Sequence, residues 1–254
     1  MPILSIITIN YNNAIGLQKT IASVAAQSHQ AEFIVVDGGS RDNSKEIITQ
    51  NEKNISYWQS ESDKGIYDAM NKGIAKAKGE FLLFLNSGDT LSGSKIVEEL
   101  IPLLKDTDIL YGDLITVDHK GEKEKHISFD AANVYNLMIS TIWHPCAFIK
   151  REVFSKCGLY NTDLKVAGDY EFFIRAILNY GVKTRYLNKF ISEFDLSGIS
   201  NKNESATLMN AEREKAWVLN FSEPMIRLFK ESVNLFRSRE YKLGKLITKF
   251  TPGS

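Results

Sequence analysis

Apolar positions along the chain follow two rhythms. Residues 3–9, 32–36 and 81–85 are short, nearly continuous apolar stretches, too brief for helix cores and suited to strands buried on both faces of a parallel sheet. Residues 55–58 predict a further strand between the second and third of these. Spacing of three and four marks the intervening helices: Leu17, Ile21, Val24 and Ala25 in one, Ile47 and Ile48 in the next, then Ile66, Ala69, Met70, Gly73, Ile74 and Ala77. Strand and helix alternate through short polar loops. That order predicts an α/β fold, with a mainly parallel central sheet covered by helices on both faces.

Beyond Asp89 the rhythm changes. Residues 96–104 predict a helix and 108–113 a strand. Residues 114–117 and 125–129 form an expected hairpin about Lys120-Gly121. A short helix over 134–140, a brief strand over 147–149 and a helix holding Val153 and Phe154 follow. Ala167-Gly168-Asp169 opens a helix that carries Phe172, Phe173, Ala176 and Ile177 on one face. Residues 183–194 are expected to give two short strands around Asn188. A Gly- and Ser-bearing loop over 195–203 leads into C-terminal helices. The domain boundary is therefore drawn between an α/β domain, 1–203, and a helical tail, 204–254.

Four polar loops follow or precede these apolar stretches: Thr8-Ile9-Asn10-Tyr11-Asn12, Asp37-Gly38-Gly39-Ser40, Asp63-Lys64-Gly65-Ile66-Tyr67-Asp68 and Asn86-Ser87-Gly88-Asp89. In a doubly wound sheet they meet at the carboxyl edge, where ligands bind. Asp89 after Gly88 suits a divalent cation carrying a diphosphate, or equally a cap on the next helix.

Composition narrows the class. A chain of 254 residues with 43% hydrophobic content holds one large domain plus an appendage. Zero formal net charge gives no sign of a nucleic-acid binder. The charge is uneven, however. Seven basic and two acidic residues lie between Met225 and Ser254, so that stretch carries +5 and the rest −5. Met225, Ile226, Phe229, Val233 and Phe236 recur at helical spacing within it. A basic amphipathic helix of this kind either lies on an anionic membrane or packs its stripe on the domain. Two cysteines without a Cys-x-x-Cys pattern suit a reducing cytoplasm. The first residues run straight into a strand pattern with no leader, and no apolar run is long enough to cross a membrane.

Read in order, the four loops and Ala167-Gly168-Asp169-Tyr170-Glu171-Phe172-Phe173-Ile174-Arg175 resemble an inverting glycosyltransferase of family 2, with the GT-A fold of nucleotide-diphospho-sugar transferases, of the type that builds bacterial surface polysaccharide. The resemblance runs from residue 3 to about 200. It implies a hexosyltransferase-like reaction moving a sugar from a nucleotide-sugar donor, most naturally UDP-linked, to a hydroxyl of a glycan or lipid-linked acceptor. It further implies that Thr8, Asn10, Tyr11, Asp37, Lys64, Asp68, Asn86 and Ser87 bind nucleotide, with Asp37 accepting uracil N3–H and Lys64 neutralising phosphate. Asp89 holds Mg²⁺ or Mn²⁺, Asp169 is the general base, and His144 and Glu171 lie on the acceptor side. No Gln-x-x-Arg-Trp occurs, so a non-processive enzyme is implied, cytoplasmic or peripheral at the inner face of the membrane.

Asn86, Gly88, Gly38 and Gly168 stand where the family often has acidic residues. This leaves one carboxylate at the metal turn, one for the base and Asp169 beside Glu171 as candidates for catalysis. Asp169 also suits a helix N-cap, and His144 a structural hydrogen bond. A sugar nucleotidyltransferase is disfavoured, because the loop after the first strand has no Gly before Gly16; a dinucleotide dehydrogenase fails for lack of G-x-G-x-x-G. A non-catalytic nucleotide-sugar binding module is the remaining alternative, separated from an enzyme by turnover.

Overall fold

The computed structural model describes residues 1–196 and 203–250. The apolar stretches become β1 (Leu4–Asn10), β2 (Glu32–Asp37), β3 (Tyr57–Ser60) and β4 (Phe81–Phe84), all parallel, in the order β3-β2-β1-β4. Every residue of β1 and β4 is buried, which is why they lack polar alternation. A fully buried Leu, Ile or Phe contributes about 1.5–3 kcal/mol. The helices between them are α1 (Ala14–Ala25), α2 (Ser44–Gln50) and α3 (Ile66–Lys76). One apolar layer lies under α1 and α2 with Leu17, Ile21 and Ile48; the opposite layer lies under α3 with Met70 and Ile74.

The second half extends the same sheet. After β5 (Thr90–Leu91) and α4 (Ile96–Leu100) come β6 (Ile109–Val117) and β7 (Lys123–His126), the expected hairpin. Helix α5 (Val134–Ile139), strand β8 (Ala147–Lys150) and helix α6 (Arg151–Cys157) follow. Strand β8 inserts antiparallel between β4 and β6. Helix α7 (Gly168–Ile174) runs into a π turn, Arg175–Asn179. Residues expected as two short strands around Asn188 form one, β9 (Thr184–Asp195). It pairs with β6 throughout, its register shifting at Gly112, and with β5 at the far edge. The polar Asn188-Lys189 pair that suggested a break sits at this irregularity, with the ladder resuming beyond it. Of the loop expected over 195–203, residues 197–202 lie outside the described residues.

Helices α8 (Asn203–Asn220) and α9 (Glu223–Phe250) complete the chain. Ala216 and Trp217 of α8 are buried against Leu137, Tyr170 and Ile174. Trp217 Nε1 donates to the Tyr170 hydroxyl at 2.8 Å. Glu212, also buried, accepts from three successive backbone amides ahead of α7: Lys165 N at 2.8 Å, Val166 N at 2.9 Å and Ala167 N at 2.9 Å. A carboxylate from α8 thus does the work of an N-cap, where α7 has no side-chain cap of its own. Glu212→Ala leaves these buried donors open at about 1 kcal/mol or more each. The expected result is a Tm lower by roughly 10 °C in thermal unfolding; a shift under 2 °C would show that the contact is idle.

Ile226 and Phe229 of α9 join the same cluster and Val233 is buried, so part of the tail's apolar stripe packs on the domain. Met225, Leu228, Leu235 and Phe236 stay exposed.

Candidate active site

The loops at the carboxyl ends of β1, β2 and β4 lie side by side, because the three strands are neighbours and parallel. On the β1–β2 side, Asp37 is fully buried. Its Oδ1 accepts from Asn10 Nδ2 at 2.7 Å and Ser40 Oγ at 2.5 Å; its Oδ2 accepts from Ser40 N at 3.0 Å and Ser60 Oγ at 2.7 Å. Burial pushes its pKa up, but these bonds outweigh burial and hold it below the ordinary value. Four bonds fill the carboxylate's acceptor positions. Asp37 therefore organises the turn and has no acceptor left for a base N–H. Asp63 sits beside it, half-buried, its Oδ1 bonded to Gly65 N at 2.8 Å, and burial raises its pKa. A Cβ on Gly38 would fall 2.4 Å from Asp63 Oδ2 and 3.3 Å from the Tyr11 ring. The absent side chain is what lets an exposed aromatic ring and a carboxylate converge over the turn. The sequence singled out Tyr11 but not Asp63, which lies in a motif where attention fell on Lys64 and Asp68.

Thr8 is fully buried, and its hydroxyl donates to Leu85 O at 2.6 Å. That bond lies within the sheet, so the hydroxyl is spent on the backbone and the side chain is closed to solvent, in contrast to the nucleoside contact implied for it. Lys64 is exposed at the start of α3, where its backbone N donates to Asp68 Oδ2 at 3.0 Å. Asp68 also pairs with Lys72 at 3.4 Å, so it serves the first turn of α3. Ser87 accepts from Asn13 Nδ2 through its carbonyl at 3.0 Å.

On the β4 side the turn carries Asp89, 3% exposed. Its Oδ1 accepts from Asp195 N at 3.0 Å, while its Oδ2 and the Oδ1 of Asn86 are buried without a hydrogen-bond partner. Burial pushes the Asp89 carboxyl up to about 7; His144 and the Asp195 amide pull it down, and the Asp195 carboxylate adds to the rise. Gly88 holds φ at +108°, and a Cβ there would sit 3.2 Å from Asp195 Oδ2. Asp195 is the residue that sequence reading missed: it reaches this turn from 106 positions away. Two unsatisfied buried oxygens, one of them on a buried carboxylate, fit a divalent cation. Among the described residues no group of three or more His, Cys, Asp and Glu side chains could hold a metal by itself, so substrate phosphate oxygens would have to complete the shell.

Asp169 stands in the first turn of α7, its side chain 16% exposed. Its Oδ1 accepts from the Tyr67 hydroxyl at 3.0 Å and Tyr170 N at 2.9 Å, and its Oδ2 meets His144 Nδ1 at 3.1 Å. His144 Nε2 lies 3.0 Å from Asn86 Nδ2. These contacts form a continuous chain Asn86–His144–Asp169–Tyr67. Burial raises the Asp169 pKa; the bonds from His144, Tyr170 N and Tyr67 outweigh it and leave the carboxyl below its ordinary value. Glu212 supplies the cap on α7, and Asp169 is left for the site. Glu171 turns away: buried, it pairs with Arg175 Nε and Nη2, both at 3.0 Å, and accepts from Asn220 Nδ2. It does not line the cavity above Asp169, so the acceptor-side role suggested for it does not hold; that cavity measures about 290 Å³ and lies between α3, α7 and α8.

The fold is of the GT-A type, and the chain belongs to glycosyl transferase family 2, whose model matches residues 5–158. An uncharacterized glycosyltransferase of Mycobacterium tuberculosis is 35% identical over 217 residues, covering 82% of this chain and 80% of its own. A PGL/p-HBAD biosynthesis glycosyltransferase of Mycobacterium bovis is 29% identical over 212 residues, covering 79% and 80%. Among solved structures, S. aureus TarS 1-349 in complex with UDP superposes with a TM-score of 0.63 at 19% identity, covering 82% of this chain and 64% of that one. The chain thus spans a little under two thirds of that structure.

Proposed function

We propose that this glycosyltransferase moves a sugar from a UDP-linked donor to a hydroxyl of a glycan or lipid-linked acceptor in surface-polysaccharide biosynthesis, one residue at a time and with inversion. The observation that carries the reading is Asp169, ionised and aimed at a cavity, on the same sheet edge as the Tyr11–Asp63 cleft and the Asp89 turn. TarS has been crystallised with UDP and with UDP-GlcNAc, and a Pyrobaculum calidifontis mannosyltransferase with GDP-Man and Mn²⁺; those ligands support a nucleotide-sugar donor here.

In this reading uracil stacks on Tyr11 and gives its N3–H to Asp63, over the turn that Asp37 and Asn10 hold rigid. Lys64 attends the diphosphate. Asp89 and Asn86 would hold Mg²⁺ or Mn²⁺, which supplies charge neutralisation to the leaving group. Three of the roughly four acceptor positions on Asp169 are filled. The last takes the proton of the acceptor hydroxyl. The acceptor oxygen attacks the anomeric carbon from the face opposite the diphosphate; that C–O bond breaks and the nucleoside diphosphate leaves with the electron pair. Calorimetry with UDP is the test. Tight binding should require Mn²⁺ and fall at least tenfold in Asp63→Asn; equal affinity with and without metal, or in both proteins, would refute the donor site.

Location at the inner membrane face is part of the same reading. Exposed Met225, Leu228, Leu235 and Phe236 share α9 with Arg227, Lys230 and Arg237. Each basic residue near anionic lipid contributes about 1 kcal/mol. Co-sedimentation with phosphatidylglycerol vesicles should fall steeply with salt and be lost in Leu228→Glu/Leu235→Glu, which spares the packed residues Phe229 and Val233. Unchanged sedimentation of that variant would make the tail purely structural.

A further inference from the structure

The cavity over Asp169 is unlike a site for a neutral sugar chain. At about 290 Å³ it lies at the small end of ligand sites, roughly 300–1,000 Å³, and has room for one ring. Its walls are largely apolar and aromatic, including Ile66, Met70, Trp143 and Met209. A glycan subsite needs many free donors and acceptors for hydroxyl groups, and here the hydroxyls of the wall are already engaged. Thr116 Oγ1 is bonded to His126 Nε2, Thr141 Oγ1 to Ile142 O, and the Tyr170 hydroxyl both to Leu137 O and to Trp217 Nε1. Among the described residues, Arg213 of α8 is the one Lys or Arg that lines the cavity. Its guanidinium lies 4.3 Å over the Tyr170 ring, and one Nη2–H donates to Ser140 O at 2.9 Å. Stacking and that bond fix its orientation. Most of its five N–H donors remain, and among the described residues it has no carboxylate partner.

We propose that this cavity is the acceptor subsite and that it takes an amphiphilic anion: a ring-sized apolar body in the pocket, a phosphate or carboxylate on Arg213, and the nucleophilic hydroxyl toward Asp169. The assignment rests on the glycosyl-transfer reading and narrows its acceptor. It makes α8 a wall of the active site, and it makes Arg213 the residue that selects for charge. A planar fork is suited to an oxyanion in a way that a point charge is not.

Calorimetry on the full chain with UDP and Mn²⁺ present tests this with simple probes: phenyl phosphate, benzoate, phenyl β-glucoside and inorganic phosphate. At least one aryl anion should bind, and the tighter of the two identifies the acidic group. Arg213→Gln should weaken that anion roughly ten- to hundredfold and leave phenyl β-glucoside and UDP unchanged. Arg213→Lys should recover part of the loss. Met209→Trp, which fills the cavity from α8, should abolish binding of every aryl probe while UDP still binds. Inorganic phosphate should not bind measurably, because the apolar body supplies the pocket contacts.

The proposal falls if neither aryl anion binds a chain that does bind UDP. It falls equally if Arg213→Gln leaves the anion's affinity unchanged, or if inorganic phosphate binds as tightly as phenyl phosphate. Absence of any UDP binding is a different failure: it removes the transferase reading, and this assignment with it.

Discussion

Replacing Asp169 by Asn should lower turnover by about 10²–10⁴, the usual contribution of a positioned base, and leave UDP affinity unchanged. The variant keeps the shape of the side chain and loses its basicity. It also loses the acid limb of the rate profile. In the wild type that limb lies below the ordinary carboxylate range, since His144, Tyr170 N and Tyr67 hold Asp169 ionised. The same depressed pKa contributes stability above the unfolded-state value, lost as pH falls through the folded one. Glu171→Gln is the informative contrast. It breaks a buried pair with Arg175, which costs about 3–5 kcal/mol, so its Tm should fall while turnover per folded molecule holds. Near-normal turnover in Asp169→Asn with abolished turnover in Glu171→Gln would assign the chemistry to the wrong carboxylate. Product retaining the donor's anomeric configuration would exclude single displacement.

The second large effect belongs to Asp89. Its pKa is raised by burial to about 7 in the folded chain, against 3.8 for the free group. A raised carboxyl pKa costs stability as pH climbs from the unfolded value to the folded one, and the whole cost persists above that. Metal-free Asp89→Asn should therefore be more stable than the wild type, and its advantage at pH 8 should exceed that at pH 5 by roughly 2–3 kcal/mol. In thermal unfolding this is a gap widening by about 5–10 °C. Adding Mn²⁺ with UDP should reverse the order, since the charged carboxylate then has a partner. An advantage independent of pH would mean that Asp89 is not the strained, cation-seeking group its unpartnered Oδ2 implies.

The sequence carried the parallel half of the fold well, because strands buried on both faces have nowhere to put polar residues: residues 81–85 could be little else. It carried the edges poorly. Thr90–Leu91 is two residues long and has no periodicity to read. β9 looked broken at Asn188 because a register shift puts polar residues inside one continuous ladder. In the site, motif order put forward Asp89 and Asp169 as candidates, and the resemblance added His144. What it could not carry was satisfaction and convergence. Asp37 reads as a free carboxylate until Ser40, Ser60 and Asn10 fill it. Asp63 and Asp195 become visible only when the chain brings them over Gly38 and beside Gly88. Glu171, two residues from Asp169, was separable from it only by the helix turning it toward Arg175.

The clamp of Glu212 on the amides of Lys165, Val166 and Ala167 has a consequence for how the enzyme is made. Those amides leave the ribosome 45–47 residues before their partner does. At about 5–20 residues per second, that is a delay of roughly 2–9 s. During it the parallel strands and their loops can already pair, since β1 to β4 need nothing from beyond residue 84 to do so. The three amides ahead of α7 lack this carboxylate until α8 emerges. A nascent chain is thus able to pair the parallel half of its sheet before the start of α7 is capped.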